Sequence, residues 1–196
     1  MGKGRLEAFS DGVIAIIITI MVLELKTPSG SGLDALRPLA PLFFSYVLSF
    51  IYVGIYWNNH HHLLHAVSRV SGPILWANLH LLFWLSLIPF VTAWSGATNF
   101  APVPVACYGF VLVMAGAAYY LLTGALIRRH GQDSDLARAV GRDSKTIVSV
   151  ALYAAAIPCA LYWNVLPAFA LYAAVAAMWI VPDRRIEDAL ARHGAP

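Results

Sequence analysis

The chain has 196 residues, of which 60% are hydrophobic and only 12% are charged. Soluble domains carry roughly 45–50% apolar and about 25% charged residues, so the composition excludes an ordinary soluble protein and indicates an integral membrane protein. The net charge of +3 reflects the orientation of the chain in the bilayer and does not indicate nucleic-acid binding. We therefore expect an all-α fold of transmembrane helices.

Long apolar runs predict a single six-helix subunit with spans near residues 6–26, 39–64, 73–94, 103–127, 145–163 and 165–182. Each run approaches the roughly 20 residues that a helix needs to cross a bilayer. A turn at Trp163 and Asn164 separates the last two spans, which form either a hairpin of two short spans, the better fit to the Ala-rich sequence, or a re-entrant hairpin. Residues 128–144 are a predicted cytoplasmic connector and residues 183–196 a cytoplasmic tail.

The basic residues predict the orientation of the chain. If the N-terminus is cytoplasmic, only Lys26 and Arg37 of the 13 Lys and Arg residues fall on the outer side. This positive-inside asymmetry predicts a multi-pass protein of the inner (plasma) membrane with both termini in the cytoplasm. A signal peptide is the competing interpretation of the N-terminus, but residues 27–30 offer no small-x-small cleavage site.

The first span contains polar side chains where a simple anchor would carry Leu or Val. An Asp at the centre of a spanning helix costs ~2.5–3.5 kcal/mol, so Ser10 and Asp11 need either polar partners or a functional role. The predicted topology brings the end of span 2 and the start of span 3 to the same depth, and the candidate partners there are Trp57, His60, His61, His62 and Asn78. The alternative is that Ser10 or Asp11 caps a helix that begins near Val13.

The opposite side of the first span is apolar with one hydroxyl. On a helical wheel Thr19, Ile20 and Leu23 lie within about 60° of Ile16, whereas Asp11 lies roughly 140° from Ile16. We call these four residues the apolar stripe. Helix packing, as in many membrane proteins, is the simplest interpretation of this stripe.

The consecutive histidines His60, His61 and His62 allow three interpretations. They are hydrogen-bond partners or a polar rim, a pH-sensitive element, or metal or haem ligands, since His61 and His65 share a helix face at i,i+4. A membrane metal- or haem-binding protein using His60–His65 is therefore the alternative function. Otherwise the sequence indicates no cofactor, no resident metal and no enzymatic motif, and it shows neither the broken helices nor the paired repeats of a transporter.

The first-helix residues resemble the endolysosomal potassium channel family and its shorter bacterial homologues. The family signature is an Arg, three residues and then Phe-Ser-Asp at the start of the first helix, which here is Arg5 and Phe9-Ser10-Asp11. The resemblance continues through Gly12-Val13, Ala15-Ile16, Thr19 and Leu23-Glu24-Leu25. Trp57, Asn78 and Ile88-Pro89-Phe90 are also similar to the family's second and third spans.

The resemblance implies a potassium-permeable cation channel that assembles as a homotetramer, with four copies of the first helix around a central pore. Ile16, Ile20 and Leu23 would form a hydrophobic constriction that serves as gate and selectivity element, and Thr19 would add a hydroxyl. The motif Arg5, Phe9, Ser10 and Asp11 would hold the pore helix in place through Trp57, Asn78 and one of His60, His61 and His62. The expected partners are other copies of the chain, the lipid bilayer and monovalent cations, with potassium as the permeant ion and no cofactor.

Overall fold

The computed structural model describes residues 2–65, 67, 69–131, 137 and 144–180, and within these residues the fold is all-helical without β-strands. The helices are α1 Lys3–Leu23, α2 Ala40–His65, α3 Gly72–Ser86, α4 Ile88–Ala97, α5 Pro102–His130, α6 Ser144–Tyr162 and α7 Val165–Ile180, with a 3-10 helix Leu33–Leu39 before α2. Most of the predicted connector 128–144 and all of the predicted tail 183–196 lie outside the described residues.

Five helical segments of the described chain are long and apolar enough to cross a membrane. They are Lys3–Leu23, Leu33–His65, Gly72–Ala97, Pro102–His130 and Ser144–Tyr162. The apolar helix α7 is shorter than these five segments, and its 16 residues span only about 24 Å. Residues 181–182 of the predicted sixth span lie outside the described residues. The chain is thus an all-α, multi-pass membrane protein, and a sixth crossing stays a prediction.

The predicted third span, residues 73–94, is divided in the structure into two helices. α3 ends at Ser86 and α4 begins at Ile88, with Leu87 as the junction. The cause is Pro89, which has no N–H to donate to the carbonyl of Leu85 and whose ring crowds that carbonyl. The third span therefore contains a break at Leu87, although Gly72–Ala97 as a whole is long and apolar enough to cross a membrane.

Polar side chains between α2, α4 and α5 bond one another inside the bundle. Thr92 donates to the carbonyl of Ile88 at 2.6 Å, so its oxygen accepts from Ser49, 2.6 Å away, and Ser49 in turn accepts from Tyr108 at 3.0 Å. Ser45 donates to the carbonyl of Thr92 at 2.8 Å. Buried polar groups cost free energy unless they are paired, and this chain of bonds holds α4 against α2 and α5.

α1 lies at one edge of the bundle. It packs against α2, α3 and α4, whereas α5, α6 and α7 pack against one another and against the far side of α2–α4. Consequently α1 has one side against the protein and one side open.

The close approach of α4 to α2 depends on a glycine, and we expect Gly96→Ala to destabilise the protein. A Cβ at Gly96 would lie 2.5 Å from the Cα of Leu42, so the backbone of one helix must move, at a cost of about 1–3 kcal/mol. Gly54→Ala is the matched control, since a Cβ there meets nothing within 4 Å and alanine favours the helix. Thermal unfolding in detergent should show a lower midpoint for Gly96→Ala alone; equal midpoints would contradict the prediction.

Candidate functional site on the first helix

The two sides of α1 differ sharply in exposure. Leu6, Ser10, Ile14, Ile17 and Met21 are buried at helical spacing and face α2, α3 and α4. On the other side, 58% of Ile16, 41% of Ile20 and 78% of Leu23 are exposed. The apolar stripe is thus open in the isolated subunit.

A chain of three buried polar side chains holds the inner side of α1. Ser10 donates its hydroxyl hydrogen to the carbonyl of Leu6 at 2.9 Å, so its oxygen accepts from the Asn78 Nδ2 at 3.0 Å. The Asn78 Oδ1 then faces the Nε2 of His60 at 2.7 Å. Because a carbonyl oxygen can only accept, His60 donates from Nε2, which fixes its tautomer. Every member of the chain is buried.

Asp11 is held separately, at a less buried place. The indole Nε1 of Trp57 donates to its Oδ1 at 3.0 Å. The ring of Trp57 in turn stacks on His61, with ring centroids 5.9 Å apart and planes 24° apart. We call Ser10, Asp11, Trp57, His60 and Asn78 the polar anchor, since these residues join α1 to α2 and α3.

The three histidines are therefore placed differently. His60 joins the polar anchor through Asn78, His61 stacks on the ring of Trp57, and the ring of His62 lies 5.7 Å from that of His61. Of the family motif, Arg5 and Phe9 lie on the open side of α1. The idea that Ser10 or Asp11 caps a helix near Val13 was wrong, because α1 already begins at Lys3.

Sequence reasoning missed a contact between the first turn of α1 and the end of α2. The Nζ of Lys3 donates to the carbonyl of His65 at 3.2 Å and lies 3.6 Å from the Oε1 of Glu7. The sequence contained one signal for it, the i,i+4 spacing of Lys3 and Glu7, which predicts an ion pair between these two residues on a helix. Lys3 thereby bonds a terminal carbonyl of α2, which a helix end otherwise leaves unpaired.

Thr19 is the one hydroxyl of the apolar stripe, and it is exposed. Its Oγ1 donates to the carbonyl of Ile16 at 2.9 Å. The hydroxyl hydrogen is thus used inside the helix, and the oxygen lone pairs remain for an acceptor role toward water or a cation.

The described residues contain no group of three or more His, Cys, Asp or Glu side chains that could hold a metal ion. Cys107 and Cys159 are free and partly buried within α5 and α6.

The fold and the site define the class of this protein, an all-helical, multi-pass membrane protein. Its first helix, α1, is hydrogen-bonded to the rest of the subunit on its polar side and is exposed on its apolar side. The family model "Endosomal/lysosomal potassium channel TMEM175" matches residues 5–89, which include most of α1 and the polar anchor. A potassium channel of Chryseobacterium sp. (strain P1-3) is 53% identical over 190 residues, which cover 97% of this chain and 98% of the relative. This chain belongs to the TMEM175 potassium channel family.

Two further similarities extend the comparison. The crystal structure of a lysosomal potassium-selective channel TMEM175 homolog from Chamaesiphon minutus matches with a TM-score of 0.74 and 26% identity, over 90% of this chain and 97% of the homolog. The human endosomal/lysosomal proton channel TMEM175 is 33% identical over 116 residues, which cover 53% of this chain but only 23% of the human protein. These relatives are channels, and the chain is accordingly a channel protein and not an enzyme.

Proposed function

We propose that the chain is a potassium-permeable cation channel in which α1 of each subunit lines a central pore. The observation that carries this proposal is the placement of the apolar stripe, which is exposed directly opposite the side that the protein holds with buried polar bonds. Side chains that packed between the helices of one subunit would be buried, as Ile14 and Ile17 on the other side of α1 are. Relatives named as potassium channels supply the permeant ion.

A single helix cannot enclose a pore, so several copies are needed, and closed cyclic symmetry is the expected arrangement. We propose a homotetramer, with Ile16, Ile20 and Leu23 of four copies forming successive apolar rings. Such rings gate by dewetting: a narrow ring excludes water and ions, and a small widening restores conduction. The free lone pairs of Thr19 would offer an oxygen to the passing ion between the rings of Ile16 and Ile20.

We further propose that both termini are cytoplasmic and that the protein lies in the inner (plasma) membrane. In this orientation Lys3, Arg5 and Arg69 lie inside, and the polar anchor lies in the cytoplasmic half of the bilayer. Leu23 and Glu24 then lie at the outer mouth.

The decisive test is a bi-ionic reversal potential with purified protein in a planar bilayer. Potassium on one side and sodium on the other should give a potential that follows potassium. A pH gradient at symmetric potassium should leave the potential near zero, and a potential that follows pH would instead identify protons as the permeant ion. Absence of any cation current from correctly folded oligomer would overturn the proposal.

For the polar anchor we predict a structural role, so that Asp11→Ala reduces assembly more than it changes ion preference. The substitution removes the acceptor of the Trp57 N–H, and a partly exposed, charge-assisted bond of this kind contributes about 1 kcal/mol per subunit. The tetramer fraction in detergent should fall several-fold while the potassium-to-sodium ratio of the remaining channels is unchanged. Asp34→Ala is the control, because its pair with Arg37 is almost fully exposed; a normal tetramer yield with altered selectivity in Asp11→Ala would contradict the prediction.

A further inference from the structure

A small cavity lies inside the subunit, between α2 and the helices α5, α6 and α7. The space in it that is open to water molecules measures about 30 Å³. Although the protein is apolar, this cavity is surrounded by side chains that carry hydroxyl or amide groups. They include Tyr56, Asn59, Tyr119, Thr146, Ser149 and Tyr153.

Tyrosine rings form much of the contact between α2 and its neighbours at this level. The ring centroids of Tyr56 and Tyr119 are 6.4 Å apart, and the two rings meet edge to face. On α5, Gly116 has no side chain, and a Cβ there would lie 3.9 Å from the hydroxyl oxygen of Tyr56. The hydroxyl of Tyr56 therefore has open space in front of it instead of a neighbouring side chain.

The hydroxyl of Tyr56 is buried without a protein partner. Tyr56 is only 9% exposed, yet its hydroxyl forms no hydrogen bond with any residue that the structure describes. Two other buried tyrosines are paired: Tyr52 donates to the carbonyl of Tyr172 at 2.6 Å, and Tyr172 donates to the carbonyl of Val105 at 3.0 Å. Buried polar groups in proteins are almost always hydrogen-bonded, so the Tyr56 hydroxyl indicates a bound molecule.

Asn59 adds an acceptor to the same cavity. It follows Tyr56 by three residues, so both side chains lie on one face of α2, and both line the cavity. The Nδ2 of Asn59 donates to the carbonyl of Ile55 at 2.8 Å, which leaves Oδ1 as an acceptor. A donor on Tyr56 and an acceptor on Asn59 suit a ligand that both accepts and donates hydrogen bonds.

One end of the cavity lies where two helices end. Thr146 is in the first turn of α6, and Trp179 is in the last turn of α7. The indole of Trp179 donates to the Oγ of Ser149 at 2.8 Å, and the Nζ of Lys145 lies 5.8 Å from the centre of the Trp179 ring. A charged amine at this end brings it to the edge of the bilayer, where water can enter.

We propose that this cavity is a binding site for two ordered water molecules, which bond the hydroxyl of Tyr56 and the Oδ1 of Asn59. A water molecule needs about 10–15 Å³ on this measure of volume, so the cavity has room for two. All residues that line it are neutral, and a cation at this depth would have no compensating charge. The proposal goes beyond the proposed function and does not depend on which ion the pore carries.

The bound water would join the two halves of the subunit. Helices in a bilayer associate through close packing and polar bonds, and a bridging water is nearly as favourable as a direct hydrogen bond. α2 carries Trp57 and His60 of the polar anchor, which hold α1. The water site would tie this same helix to α5, α6 and α7.

The direct test is an experimental structure of the wild-type protein in lipid, at a resolution that shows ordered water. We expect density within about 2.7–3.2 Å of the Tyr56 hydroxyl oxygen and of the Asn59 Oδ1. A cavity without density would overturn the inference. So would a peak that gives a strong anomalous signal when rubidium replaces potassium, because it would identify a cation and not water.

The stability of Tyr56→Phe tests the same site by the sign of its effect. If water bonds the hydroxyl, the substitution removes a hydrogen bond, and we expect the midpoint of thermal unfolding in detergent to fall by about 2–4 °C. In a dry cavity the substitution would remove an unpaired buried hydroxyl and raise the midpoint. Tyr120→Phe is the control, because Tyr120 is 50% exposed on α5. An unchanged or raised midpoint for Tyr56→Phe would contradict the proposal.

Radiolytic labelling in oxygen-18 water tests the site in liposomes. Radicals formed from bound water hydroxylate the side chains that contact it, so we expect oxygen-18 on Tyr56 although its ring is buried. Asn59→Leu removes an acceptor and adds apolar surface, and the labelling of Tyr56 should then fall several-fold. Asn58→Leu is the matched control, since Asn58 is exposed on the same helix. Equal labelling of Tyr56 in Asn59→Leu and in the wild type would overturn the role of Asn59 in holding the water.

Discussion

Ile16→Asn is expected to raise potassium flux about tenfold and to weaken the preference for potassium over sodium. At 58% exposure in the subunit, Ile16 is not part of the buried core, so the substitution removes little packing. In the proposed pore, four amide side chains would hydrate a ring that is otherwise dry, and the barrier to ion passage would fall by about 1.4 kcal/mol. Liposome flux at matched protein density measures the first effect, and the bi-ionic potential measures the second.

Ile147→Asn is a close control for this prediction. Ile147 is also 58% exposed, but it lies on α6, which packs against α5 and α7. The same change in polarity at the same exposure should leave flux and selectivity unchanged. If both variants behave alike, or if Ile16→Asn has wild-type flux in well-assembled protein, α1 does not form the constriction.

α1 has one side that is hydrogen-bonded to the rest of the subunit and one side that is open, and the proposed gate requires both. The polar anchor fixes the rotation of α1 about its axis, because Ser10 and Asp11 have different partners on different helices. A helix held in rotation presents the same side chains to the pore in every copy. In the proposed pore, small movements of the helix would then change the width of the apolar rings without exchanging the residues that form them.

The apolar stripe and the candidate partners of Ser10 and Asp11 could be predicted from the sequence because both depend on helical periodicity and depth in the membrane. Ile16 and Ser10 lie about 120° apart around any helix that contains both. The class of protein could also be predicted from the sequence. The length and apolarity that a membrane-spanning helix requires are properties of a single segment and do not depend on how segments pack.

Other features depend on how the helices pack against one another, and helical periodicity and membrane depth do not predict them. Depth alone does not choose among three adjacent histidines, and only the bond to Asn78 distinguishes His60. The open cavity between α1 and α4, which Pro89 and Trp94 help to line, depends on how these helices pack. Pro89 signals the junction locally, but the space beside it depends on how α2 and α4 meet at Gly96 and Leu42.

Asn78→Leu is expected to be the most destabilising change in the polar anchor, because Asn78 bonds two buried partners on two other helices. Leucine is similar in size but leaves the N–H of His60 without its acceptor and the oxygen of Ser10 without its donor. Each buried group left unpaired costs about 1–3 kcal/mol, so we expect a loss of roughly 2–5 kcal/mol in the free energy of unfolding. Asn58→Leu is the control, since Asn58 is exposed on α2 and such changes usually stay within about 0.5 kcal/mol.

A double-mutant cycle with Ser10→Ala tests whether these bonds act as one unit. Removing both partners of a buried hydrogen bond costs less than removing one, because no unpaired group remains. The double variant Ser10→Ala/Asn78→Leu should therefore be more stable than the sum of the single losses predicts, by about 0.5–1.5 kcal/mol. Denaturant unfolding in detergent micelles measures all four members of the cycle. Strictly additive losses would mean that Ser10 and Asn78 contribute independently, and the rotation of α1 would then have to be fixed by Asp11 and Trp57 alone.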